Sequence, residues 1–169
     1  MVPGAIMADE LTPPDARRPE LLVLDTNIWL DWLVFNDPAT IPLARAQAHG
    51  RIRIIASPPM RAEFADVISR PALGQTAAQC TAHLQCFDRL TSTPTMQGEP
   101  SITRQEQMRR FADRCTDPDD RKFVFQALLN GADALLSRDR AVLKLARLAS
   151  RDHGLLIATL TDWSRLAHV

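Results

Sequence analysis

Leu21-Leu22-Val23-Leu24-Asp25 is the stretch on which the reading of this chain turns. Four apolar residues end abruptly on a carboxylate. So short a run, with no polar residue alternating through it, predicts a strand buried on both faces, as in a parallel sheet. After it, Asn27 to Phe35 carries apolar residues at helical spacing. Pro42 to His49 reads as a second helix, closed by Gly50. Ile52 to Ala56 is the next apolar run, and Ser57-Pro58-Pro59 opens a helix reaching about Arg70, with Ser57 as N-cap and proline at its first position. Thr76 to Leu90 reads as another helix. Thr91 to Ile102 reads as loop with room for one short strand. Thr103 to Arg114 is an amphipathic helix, and Asp117-Pro118-Asp119-Asp120 starts one that ends near Asn130-Gly131. Ala134 to Ser137 is a further strand, followed by a helix from Asp139 to about Arg151. Leu155 to Ala158 is the last strand, and Asp162 to Ala167 a last short helix. Strands alternating with helices imply an α/β domain whose parallel sheet is covered on both faces.

Composition bounds the function. The chain has 169 residues, enough for one domain over about 20–169 after a tail, rich in proline and charge, over 1–19. It is 46% hydrophobic and 24% charged, an ordinary globular balance. Twenty basic residues offset twenty acidic ones, which excludes nucleic-acid binding by bulk positive charge; any such binding needs a local patch. The three cysteines, Cys80, Cys86 and Cys115, make no disulfide framework and no Cys-x-x-Cys pair, and the histidines are scattered, so no structural zinc site is expected. Reduced thiols and a cytoplasmic location follow as the expectation. Residues 1–19 lack the pattern of a secretory leader, and nothing has the apolar length of a membrane span.

In open α/β sheets chemistry gathers beyond the carboxyl ends of the strands. Asp25 closes the first strand. Glu63 lies two turns into the helix after the second, Asp120 at the start of the helix leading to Ala134–Ser137, and Asp139 just past that strand. Asn27 and Ser137 stand nearby as hydrogen-bonding neighbours. Two carboxylates ~5 Å apart at an effective dielectric of ~20 repel by roughly 3 kcal/mol. Such a group needs a proton or a cation to offset it. An all-oxygen set suits a hard ion, Mg2+ or Mn2+, which polarises water and neutralises phosphate charge in phosphodiester hydrolysis. Arg61, Arg121, Arg138 and Arg140, with Lys122, would form a basic surround for a phosphate backbone. Each residue also has an ordinary structural reading: strand-ending aspartates often cap helices or turns. Asp117 before Pro118 reads as an N-cap with Asp120 near the capping-box position. Arg121, Lys122 and Arg140 read as solvated, and Trp29, Trp32, Leu33 and Phe35 as core.

Taken together, Leu24-Asp25-Thr26-Asn27, Glu63-Phe64, Asp117-Pro118-Asp119-Asp120-Arg121-Lys122-Phe123 and Ala132-Asp133-Ala134-Leu135-Leu136-Ser137-Arg138-Asp139, with Leu143 after it, resemble the PIN-domain nucleases. These are metal-dependent RNases, often the toxin half of bacterial type II toxin–antitoxin pairs. The resemblance spans about 21–160. It implies a three-layer α/β/α fold with a central parallel sheet. It implies Mg2+ or Mn2+ held by Asp25, Glu63, Asp120 and Asp139, with Asn27 and Ser137 in support. It further implies hydrolysis of single-stranded or looped RNA, an antitoxin protein as partner, and a homodimer. Two departures stand out. Arg138 occupies a position where the family usually has a small residue, and Asp119 competes with Asp120 as third carboxylate. Asp120 is preferred because it lies on the inward side of its helix. The helix over 103–114 is longer than such a fold requires and reads as a partner-binding element, a substrate-positioning element or an insertion. Two other readings share these residues: a nuclease acting on DNA, and a non-catalytic PIN-like module that binds RNA or protein. A haloacid-dehalogenase-type phosphatase would need an acid where Asn27 stands.

Overall fold

The computed structural model describes residues 18–93 and 101–166. The described strands form one all-parallel five-stranded sheet in the order β3-β2-β1-β4-β5. They are β1 (Glu20–Leu24), β2 (Ile52–Ile55), β3 (Thr91–Ser92), β4 (Ala134–Leu136) and β5 (Leu156–Ala158). β1 is central, pairing Val23 with Ile55 on one side and with Leu135 on the other. The chain runs outward through β2 and β3, then returns across β1 to β4. That reversal leaves the carboxyl ends of β1 and β4 side by side, the usual place for a site in such sheets.

Helices cover both faces, giving the three-layer α/β/α architecture expected from the alternation of elements. On one face Val23, Ile55, Leu135 and Ile157 pack against α5 (Ile102–Ala112), α6 (Arg121–Leu129), α7 (Arg140–Leu143) and α8 (Ala146–His153). On the other, Leu22, Leu24, Ile54 and Leu136 pack against α1 (Thr26–Trp29), α2 (Ile41–Ala48), α3 (Pro58–Ile68), α4 (Ala77–Leu90) and α9 (Leu160–Leu166). Successive strand residues point to opposite faces, so an unbroken apolar run feeds both cores at once. An aromatic cluster anchors the second layer: Phe87 lies 4.5 Å from Trp29 and 5.2 Å from Phe64, ring centre to ring centre. These contacts fix α1 and α3, the helices that start beside Asp25 and carry Glu63.

Local differences from the sequence expectations have physical causes. The helix after Asp25 passes into a π-helical turn at Leu30–Val34, where the Phe35 amide donates to the Leu30 carbonyl at 2.9 Å. The single helix expected over Asp139 to Arg151 is two, because the Leu145 amide donates to the Val142 carbonyl in a tightened turn that buries both side chains. Ser57 occupies the N-cap position of α3 but its hydroxyl caps nothing. Pro58 and Pro59 remove the first two amides, and the Met60 amide is taken by the Ser57 carbonyl. Asp117 is not the cap of α6: its carboxylate accepts from the Asp119 amide at 2.9 Å, and Asp120 holds the N-cap position. Within the segment expected as tail, Arg18 is tied to Asp133 by two bonds of 2.8 and 2.6 Å; residues 1–17 lie outside the described residues. So do 94–100 of the expected loop and Ala167 of the last helix. The long helix α5 packs on α6 through buried Met108, Phe111 and Ala112. Among the described residues no helix is long and apolar enough to cross a membrane.

Candidate functional site

Asp25 is 3% exposed at the end of β1, a depth at which a carboxylate needs partners. It has two. The Ser137 hydroxyl donates to its Oδ2 at 2.5 Å, and the Asn27 side-chain amide donates to the same oxygen at 2.8 Å. Ser137 also accepts from the Asp139 amide at 2.9 Å, and Asn27 accepts from the Arg138 amide at 3.0 Å. Asn27 and Ser137 thereby lock the end of β1 to the end of β4. Burial pushes the Asp25 carboxyl up, hydrogen bonds from Ser137 and from the side chain and backbone of Asn27 pull it down, and the charge of Glu63 raises it.

Glu63 reaches the same edge from α3. The Thr26 hydroxyl donates to its Oε1 at 2.6 Å, and Lys122 pairs with its Oε2. Phe64, fully buried, sets the rotation of α3 that leaves Glu63 half-buried on the adjoining face. Asp139 accepts from the Ala141 amide at 2.5 Å and so caps α7 with one oxygen. Asp120 caps nothing, although it sits at an N-cap position where aspartate is a preferred capping residue. Its carboxyl is pushed up to about 7, first by burial, then by the charges of Asp25, Asp139, Asp117 and Glu63. Four carboxylates from β1, α3, α6 and the β4–α7 junction thus act on one another. Asp119, its neighbour, is exposed.

Among the described residues no three acidic, histidine or cysteine side chains close into a ready-made cation cage. The donor set still fits a hard divalent ion: the groups are oxygen donors, Asp120 carries uncompensated repulsion, and the counter-charge on Glu63 is a lysine ammonium that such an ion would replace. Burial pushes the Cys115 thiol up, a backbone hydrogen bond at Asp117 pulls it down, and the charges of Asp120, Asp117 and Asp139 raise it again.

The basic surround divides. Arg61 is turned onto Asp88 of α4, with two bonds of 2.7 and 2.9 Å. Arg121 is turned onto the Cys115 carbonyl and Asp113. Arg140 is exposed. Arg138 stays at the edge, 3.1 Å from Asp31. Lys122, read from sequence as solvated, instead spans Glu63 and the Asp119 carbonyl. Sequence reasoning also missed Thr26 and Asp31. Thr26 adjoins Asp25, and Asp31 lies one helical turn after Asn27, so local spacing held a signal for both. Lys122 and Glu63 come from distant segments, and no local pattern announces their contact.

No curated protein matches the chain. The family model for the PIN domain matches residues 21–141, from the first residue after Glu20 in β1 through Asp139 and the start of α7. That span holds the central strand, the crossover and all four carboxylates, and PIN domains are generally nucleases. With the parallel sheet, its covering layers and the acidic edge agreeing over this length, the chain belongs to the PIN domain family.

Proposed function

We propose that the chain, a nuclease by its fold, is a metal-dependent endoribonuclease that hydrolyses RNA phosphodiester bonds. We propose further that it is the toxin of a type II toxin–antitoxin pair, acting in the cytoplasm. The observation that carries the reading is the acidic edge itself. Asp120 forgoes helix capping and bears a carboxyl raised to about 7, first by burial and then by the charges of Asp25, Asp139, Asp117 and Glu63. Repulsion built in at such cost to the fold is explained by a cation that offsets it.

In this reading Asp25, Glu63, Asp120 and Asp139 hold Mg2+ or Mn2+. When bound, the ion supplies Lewis-acid chemistry: it lowers the pKa of water and neutralises charge on the scissile phosphate. The chain's own residues do the positioning. Ser137 and Asn27 hold Asp25 through Oδ2 and so fix the direction of its carboxylate. Thr26 holds Glu63 by one oxygen while Lys122 covers the other. Lys122, paired with Glu63 and bonded to the Asp119 carbonyl, holds a positive charge at the edge of the acidic group. In this reading hydrolysis goes by direct attack of water without a covalent intermediate. An antitoxin protein and a second copy of the chain complete the reading as partners. Copurification with a protein encoded beside it, and the mass of the purified chain in solution, test these two.

The decisive experiment incubates a labelled mixed-sequence RNA, and DNA of the same sequence, with Mg2+, with Mn2+ and with EDTA, beside the Asp25→Asn variant. Metal-dependent cutting of RNA, lost in the variant, is the expected result. Cutting of DNA alone would transfer the site to the DNase reading. No cutting and no divalent-ion binding in a calorimeter would make the chain a binding module.

A further inference from the structure

We infer that Arg138 grips a backbone phosphate of single-stranded RNA beside the scissile one, and that Asp31, on the π-helical turn, is the positioning residue that aims it. The inference rests on the endoribonuclease reading above and deepens it.

Arg138 stands between Ser137 and Asp139, within the acidic edge. Its backbone is fixed there, because its amide donates to Asn27, the residue that also holds Asp25. Its side chain is ion-paired, with Nε 3.1 Å from Asp31 Oδ2. The Asp31 side chain is only 9% exposed, whereas that of Arg138 is 55% exposed. A carboxylate that deep is costly unless paired. The chain places it there on a π-helical turn, a distortion often found at functional sites. A planar guanidinium has five N–H donors, so one ion-paired on its Nε side keeps others for a phosphate. Pinning also reduces the side-chain entropy lost on binding. The other nearby arginines lack this combination: Arg61 and Arg121 are turned onto other partners, and Arg140 has no anchoring carboxylate among the described residues. Arg138 is also where a small residue would leave the edge open. An arginine there narrows the acidic edge to substrates that bring a phosphate within its reach.

The test measures binding of a fluorescent single-stranded RNA by anisotropy at several salt concentrations. All proteins carry Asp25→Asn, so that the RNA stays intact. Arg138→Ala should weaken binding about tenfold, the worth of one charge-assisted hydrogen-bonded contact. It should also lower the salt slope by about one, the signature of one lost phosphate contact. Arg138→Lys, which keeps a cation beside the buried Asp31 and so protects the fold, should recover part of the affinity and all of the slope. Asp31→Asn should weaken binding when Arg138 is present and leave it unchanged in the Arg138→Ala background. Equal affinity and equal salt slope for Arg138→Ala and its parent would overturn the inference and leave the nuclease reading standing. If the parent binds no RNA and the chain with Asp25 intact cuts none, both fall together.

Discussion

The two ends of β4 carry the same residue type in opposite circumstances. At its start, Asp133 accepts two bonds from Arg18 and one of 2.7 Å from the Leu21 amide, so its charge is met and the entry of β1 is tied down. Past its other end, Asp139 shares an edge with Asp25, Asp120 and Glu63, where burial and then the neighbouring charges push the Asp120 carboxyl up to about 7. One aspartate is satisfied and serves the fold. Asp120 is left without a capping bond among charges of its own sign, a conflict of the kind that clusters at functional sites.

The largest expected effect lies at the conflicted end. Asp25→Asn should remove metal-dependent cutting down to the level seen in EDTA while the thermal midpoint stays within a few degrees, read by gel assay and calorimetry. Ser137→Ala tests whether the lock on Asp25 matters: activity should drop by about 10- to 100-fold, as for the loss of a residue that orients a ligand. If Ser137→Ala cuts as well as the parent, the β1–β4 lock is structural only. At the satisfied end, Asp133→Ala should cost about 2 kcal/mol, the scale of a hydrogen bond to a charged group, with activity per folded molecule unchanged. That amounts to a drop of about 4–8 °C in midpoint. A loss of activity without loss of stability there would erase the contrast between the two ends.

The smallest effect has the opposite sign. Without divalent ions, the folded chain holds the Asp120 proton more tightly than the unfolded chain, whose value is 3.8. Stability is therefore fullest below the unfolded value and falls as pH rises towards about 7. Asp120→Asn removes that loss. In EDTA the variant should be more stable than the parent by about 1 kcal/mol at about pH 8, a modest figure because solvent screens a half-exposed group. Near pH 4 the two should melt together. Mg2+ should stabilise the parent and not the variant. A variant less stable than the parent at high pH would mean that Asp120 is a structural residue after all.

Much of the fold was legible because it rests on local pattern. Leu22, Val23 and Leu24 are apolar on both sides of the strand because helices cover both faces of β1, and that covering leaves its imprint residue by residue. The capping box at Thr76 and Gln79 is likewise local, and α4 starts there. The breaks inside helices were not legible. Apolar spacing continues smoothly through Leu30–Val34 and through Lys144, while the turn is altered there by what each side chain must pack against.

The sequence by itself determined the strand–helix alternation, the four acidic positions and their neighbours Asn27 and Ser137, since spacing within a strand or helix is enough to specify each. Only the tertiary structure decided which charges meet. Lys122 crosses to Glu63, Arg138 to Asp31, Arg61 to Asp88, and Asp120 makes no capping bond and feels the charges of Asp25, Asp139 and Glu63. The reason is physical: charge–charge energy depends on distance in space and on exclusion of water. Residues far apart along the chain acquire both only when the parallel sheet brings the ends of β1 and β4 together under the covering helices.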